Sequence, residues 1–114
     1  MQKEVLNSEK KNFNEPDETQ NLPNSKVKTI KIGDKTIKKQ TFQPGWRWSK
    51  DWKPIVKTEW CQNFHTGVLL SGKLHILFQD GKEMNILPND AVLIPPGHDA
   101  WVVGKEPTVL ISFE

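Results

Sequence analysis

The sequence predicts an all-β domain, a small barrel or sandwich with almost no helix. Three observations carry this. Short apolar runs recur about every 8–12 residues, as they do where strands alternate with tight turns. Two-residue turn signals, Gly33-Asp34 and Asp80-Gly81, stand between alternating strands. No stretch shows a sustained 3.6-residue apolar period.

The chain has 114 residues, enough for one domain with a modest core. Apolar residues make up only 35%, so part of the chain is expected to stay outside that core. Residues 1–26 are read as a flexible tail. They are rich in Asn, Glu, Lys, Gln and Asp, and offer little beyond Val5, Leu6, Phe13 and Leu22 to bury. Docking of this arm on a partner through Phe13 or Leu22 is the other reading. Residues 27–114 form the barrel domain.

The domain opens with a β-branched, lysine-rich hairpin, VKTIKIG and DKTIKKQTF, whose lysines suit an exposed sheet edge. Pro44-Gly45 then marks a turn before Trp46, Trp48 and Trp52, three of the five tryptophans. These rings either cap the core or wall a pocket, in which Arg47 would meet a carboxylate. Ile55 to Leu70 leads to a Ser71-Gly72 turn and the strand KLHILFQ. The strand KEMNIL follows Asp80-Gly81. Pro88-Asn89-Asp90 precedes a short strand, Ala91 to Ile94. Pro95-Pro96-Gly97 ends that strand and sets His98 and Asp99 at a rigid corner. HDAWVVG and TVLISF complete the set.

The charge of +2 gives no argument for an anionic polymer, and no basic patch carries interleaved aromatics. Nucleic acid is therefore not an expected partner. No run approaches the roughly 18 apolar residues of a membrane span, so no membrane association is expected either. A single cysteine, Cys61, fits a reducing compartment, and a cytoplasmic protein is expected. No phosphate loop is present.

From His65 to Val103, HTGVLLSGKLHILFQDGKEMNILPNDAVLIPPGHDAWVV resembles the cupin type-2 conserved barrel, a double-stranded β-helix or jelly roll. Gly72 fits the glycine that closes that family's first motif. Asp90, Pro95 and Gly97 fit its second, with Asn89 where a glycine is usual. The usual ligands, three histidines and a glutamate, are not all present. Counting back from Gly72 puts His65 at the glutamate position, and Glu59 and Cys61 at the two histidine positions. In the second motif Ala100 holds the histidine position, with His98 two residues earlier.

The resemblance implies a barrel that binds a small molecule, with Glu59, Cys61, His65 and His98 as candidate ligands for zinc, iron, nickel or manganese. Shared parity would put Glu59, Cys61 and His65 on one face of a regular strand. Bland readings stand beside these: Glu59 as a solvated charge, Cys61 as a small apolar group, His65 as a hydrogen-bonded interior residue. Arg47, Trp48, Trp60, His75, Asp99 and Trp101 are the candidate pocket residues. His75 reads more simply as outward, Asp99 as a backbone acceptor at the corner, and Trp101 as sheet packing.

On a regular strand, Cys61 and His65 would lie about 13 Å apart, too far for a thiol–imidazole pair. Three functions follow: a small-molecule-binding barrel, a metal-dependent dioxygenase or isomerase of a small organic acid or sugar-like substrate, and a non-catalytic interaction module. A homodimer is what the resemblance implies for assembly.

Overall fold

The computed structural model describes residues 7–114. The part of the expected tail before residue 7 lies outside the described residues. Among the described residues nine strands run in the order β1 (Glu18–Leu22), β2 (Ser25–Ile32), β3 (Lys35–Phe42), β4 (His65–Ser71), β5 (Leu74–Phe78), β6 (Glu83–Ile86), β7 (Ala91–Ile94), β8 (His98–Val102) and β9 (Thr108–Phe113). Two single-turn helices, α1 (Trp48–Asp51) and α2 (Lys53–Val56), fall between β3 and β4.

All pairings are antiparallel. They make a six-stranded sheet, β1-β2-β3-β9-β4-β7, and a three-stranded sheet, β6-β5-β8. Alternation then sorts the side chains. Leu69 of β4, Ile76 of β5, Ile86 of β6 and Ile94 of β7 point inward and are almost wholly buried. The core lies between the sheets, and Phe42, Trp46 and Trp52 pack as an aromatic cluster within it, with centroids 4.1–5.7 Å apart.

The turn chemistry falls where the sequence places it. Gly33-Asp34 joins β2 to β3, and Asp80-Gly81 lies in the turn from β5 to β6. Asn89 takes a left-handed φ of 76°, the role the sequence assigns it. Asp90 locks this turn, its carboxylate accepting from the Leu87 N–H at 2.8 Å.

Three expectations change. Ordered strand begins at Glu18, inside the segment read as a tail, because the polar run Glu18–Leu22 pairs in full register with β2 through its backbone. The lysines of β2 and β3 do not guard an edge. Both strands lie inside the sheet, whose edges are β1 and β7. The crossover before β4 is not a regular strand: Cys61 makes one isolated bridge to His98, and β4 begins only at His65. No helix among the described residues is long and apolar enough to cross a membrane.

Candidate metal and ligand site

Cys61, His65 and His98 converge although they arrive from different places. Cys61 comes from the crossover, His65 opens β4, and His98 opens β8. The Cys61 N–H donates to the His98 carbonyl at 2.8 Å, and the Gly97 N–H donates to the Cys61 carbonyl at 2.7 Å. Residues 62–64 form no regular strand, and the Cys61 Sγ lies 3.7 Å from the His65 Nε2. The separation of about 13 Å expected for a regular strand is thus overturned, because parity and rise apply only where a strand is continuous. The imidazoles of His65 and His98 meet edge to face at 5.2 Å.

One ligand atom from each of the three residues lies within 4.8 Å of the other two. His98 Nδ1–H donates to the Pro95 carbonyl at 2.8 Å, which leaves Nε2 unprotonated and available. Burial, reinforced by the neighbouring His98, pulls the His65 imidazole down to about 4. Burial likewise lowers His98. It raises the Cys61 thiol, against a backbone N–H from Asn63, with the charge of Asp99 raising it further. Near neutral pH the trio is therefore one thiol and two uncharged imidazoles. A thiolate–imidazolium nucleophile is disfavoured, since both shifts oppose proton transfer from sulfur to ring.

The donor set fits a metal ion. Bond lengths of about 2.3 Å to sulfur and 2.0–2.1 Å to nitrogen put S and N roughly 3.5 Å apart around a tetrahedral ion. The Cys61–His65 separation of 3.7 Å is close to that.

Glu59 does not join the trio. Its side chain is 80% exposed and pairs with Lys53 at 3.2 Å, because the crossover turns it outward. Of the six expected pocket residues, Trp48 alone lines the barrel interior. Arg47 instead pairs with the buried Asp99 carboxylate at 2.9 Å and lies over Trp101 at 4.4 Å. Asp99 and Trp101 have the opposite parity to the inward His98 and Ala100, which puts them on the far side of β8. There Asp99 also accepts from the N–H groups of Ser49 and Ala100, the backbone role the sequence allowed. His75 is on the same outer face, 4.6 Å from Trp101 and between Asn85 and Glu83. Trp60 lines neither cavity, and its carbonyl accepts from Thr58 and Gln62.

Two spaces share Gln40, Trp52 and His65 in their linings. The inner one, about 30 Å³, holds Cys61 and His98 and is otherwise largely apolar. The outer one, about 210 Å³, is a vestibule at the barrel mouth. Its polar wall is Gln20, Lys38, Gln40, Asn63 and Glu114, none of which sequence reasoning identified. Gln40 was the one with a signal: it shares inward parity with Phe42, and it is buried.

No family model matches the chain, and no curated protein sequence matches it. Solved structures do. KdgF from a Halomonas species is 18% identical, with a TM-score of 0.60 over 84% of this chain and 83% of that one. A cupin-like protein from Thermotoga maritima is 19% identical, with a TM-score of 0.57 over 79% and 67%. A sugar phosphate isomerase of the cupin superfamily from Silicibacter pomeroyi is 13% identical, with a TM-score of 0.55 over 80% and 59%. At these identities the likeness establishes the fold, and with the strand order above it makes this chain a small cupin-fold barrel.

Proposed function

We propose that the barrel binds a small molecule at its mouth and holds zinc on Cys61, His65 and His98. The observation that carries this is the convergence of one sulfur and two uncharged imidazoles within 4.8 Å. The soft sulfur donor and the absence of Glu59 from the cluster favour zinc over manganese, iron or nickel. Zinc displaces the thiol proton, so loading is expected to rise with pH.

Elemental analysis of the untagged protein tests the reading, with Cys61→Ala and His98→Ala alongside. Near-stoichiometric zinc is expected in the parent and a loss in both variants. Cobalt offered instead of zinc is expected to show a thiolate charge-transfer band that Cys61→Ala abolishes. A parent that stays metal-free after reconstitution refutes the metal site.

Three protein donors leave a four-coordinate ion one open position, the arrangement of catalytic rather than structural zinc. That favours a second reading, a metal-dependent isomerase of a sugar-like substrate or small organic acid; the alternative of a dioxygenase would need redox-active iron, nickel or manganese in place of zinc. Bound zinc supplies Lewis acidity there. The chain's own residues supply the rest: His65 stands between vestibule and inner cavity, and the aromatic cluster excludes water.

For assembly we propose a homodimer through the outer face of the six-stranded sheet. Its register sets Ile37 beside Phe113, Val68 beside Ile111 and Thr66 beside Leu93. Leu93 is 60% and Phe113 48% exposed on this face. Light scattering is expected to give a dimer mass that Leu93→Glu reduces to a monomer, and a monomeric parent refutes it. A reducing cytoplasm is the compartment that keeps the Cys61 thiol available.

A further inference from the structure

We infer that the vestibule takes an uncharged, hydroxyl-rich molecule of about monosaccharide size, not an organic acid or a phosphate ester. The inference rests on the mouth of the barrel being the binding site proposed above and adds the chemical class of the ligand.

Charge is the first argument. Binding a carboxylate or phosphate in the vestibule calls for an unopposed cation there; the proposed zinc would lie in the inner space with Cys61 and His98, and the two candidate side chains, Arg47 and Lys38, are both engaged. Arg47 is committed to Asp99 on the outer face. Lys38, the one cation in the vestibule lining, pairs with Glu114 at 3.1 Å. An entering anion would therefore meet the Glu114 carboxylate beside the one ammonium in the vestibule lining. An uncharged ligand leaves that pair intact.

The polar wall gives the second argument. Gln20, Gln40 and Asn63 present three primary amides, each able to donate and to accept. Hydroxyl groups need both roles from their surroundings, whereas a carboxylate needs donors alone. Gln40 is held in place by its side-chain N–H, which donates to the Ser112 hydroxyl at 3.0 Å.

The apolar part of the lining gives the third. Leu22 and Val27 lie on the same sheet face as Gln20 and Gln40, Val27 between the two, while Trp52, Ile55 and Val56 come from the crossover, and the Trp52 N–H is already spent on the Ser25 hydroxyl at 2.8 Å. Ile55 is 54% and Val56 51% exposed at the rim, which leaves apolar surface for a ligand to cover. A pyranose or cyclitol ring has both surfaces required, a C–H face for Trp52 and a hydroxyl edge for the amides. The space of about 210 Å³ equals roughly seven waters at about 30 Å³ each. That admits one ring and not two. A ligand seated there meets His65, which lines both spaces.

The test titrates the zinc-reconstituted protein with D-xylose and myo-inositol, and separately with D-glucuronate and glucose 6-phosphate. Heat of binding is recorded together with the indole N–H resonances in nitrogen–proton spectra. Saturable binding of a neutral probe is expected, with a Kd on the order of 1 mM, and the Trp52 resonance should move. Gln20→Ala and Asn63→Ala, both at exposed positions, should each weaken it about fivefold. Glu114→Gln, which frees Lys38, should raise affinity for glucuronate at least tenfold and leave xylose unchanged.

Tighter binding of either anion than of both neutral probes by the parent overturns the inference, and so does the absence of saturable binding by either neutral probe. Zinc content is read on the same samples. A protein that loads zinc but prefers anions sinks this inference and leaves the metal site standing. One that binds xylose without loading zinc does the reverse.

Discussion

Acidifying the metal-free protein should cost it stability through His65, and the size of the cost follows from the site. The imidazole is half-buried between Cys61 and His98, with the Lys38–Glu114 pair beyond it. Burial, then the nearby His98, hold it to about 4, against 6.5 in an exposed chain. Above about pH 6.5 both folded and unfolded states carry a neutral ring, and His65 gives no pH dependence. Between about 6.5 and 4 the unfolded chain takes up a proton that the folded protein refuses, so stability falls as pH falls.

The gap corresponds to roughly 3 kcal/mol once the pH is below both values, a large share of a small domain's margin. His98 is depressed in the same direction, so the wild-type curve alone does not isolate His65. The difference between wild type and His65→Asn does. Urea denaturation in the presence of a chelator, stepped from about pH 7.5 to pH 4, should show the variant losing less stability than the parent. Two parallel curves would show that His65 is not held neutral by burial and would refute the reasoning.

Other sites give separate expectations. Arg47→Ala strips its partner from the buried Asp99 carboxylate, which keeps its bonds from Ser49 and Ala100; with Arg47 itself half exposed, a loss of about 1–2 kcal/mol is expected in urea denaturation. No change would show that the backbone donors alone satisfy Asp99. Gly67→Ala builds a Cβ 2.2 Å from the Ile111 carbonyl oxygen, so β4 and β9 must separate; about 1–3 kcal/mol should be lost, with a lower Tm, and an unchanged Tm would mean that the sheet yields freely. His75 has acceptors on both ring nitrogens, Asn85 at 2.6 Å and Glu83 at 2.7 Å, and their hydrogen bonds, that of Asn85 foremost, raise its pKa. The stability it adds over His75→Gln is therefore full below about pH 6.5 and fades as pH rises past the raised value; an advantage that grows with pH would contradict this.

The hairpins were legible because their turns are chemically narrow. Gly33-Asp34, Asp80-Gly81 and Asn89 leave the backbone few alternatives, and the strands between them alternate cleanly. β1 was not legible. ETQNL holds one sizeable apolar side chain, Leu22, and pairs with β2 through groups that every residue has. The site was legible in part. His65 and His98 were singled out by the resemblance to the cupin motifs, counted from Gly72 and from the Pro95-Pro96-Gly97 corner. Cys61 does lie in the cluster with His65 and His98, but its distance from His65 was misjudged, and Glu59 was grouped with it by a parity that the irregular residues 62–64 break. Asp99 and Trp101 were drawn into the pocket because they sit near its histidine in sequence, and Arg47 because it lies among the tryptophans read as a pocket wall. On β8, adjacent residues face opposite sides, so nearness along the chain argues against sharing the cavity with His98.

The position of the trio bears on how binding and folding are connected. His65 begins a strand of the six-stranded sheet and His98 a strand of the three-stranded one, while Cys61 bridges to His98 from the crossover. Among the described residues, no strand of one sheet pairs with a strand of the other, so apolar packing, the crossover and the loops hold the two layers together. An ion on Cys61, His65 and His98 adds a direct tie between the layers, at the point where each histidine's strand begins. The unfolded chain has no such preformed arrangement, so the free energy of binding becomes stability of the barrel. The two burial-depressed histidines act in the opposite sense in the metal-free protein, since each resists the proton that acid offers. Protons and the proposed zinc would therefore compete for the same ring nitrogens, and the pH at which the metal-free barrel weakens is also the pH range in which it should surrender the ion.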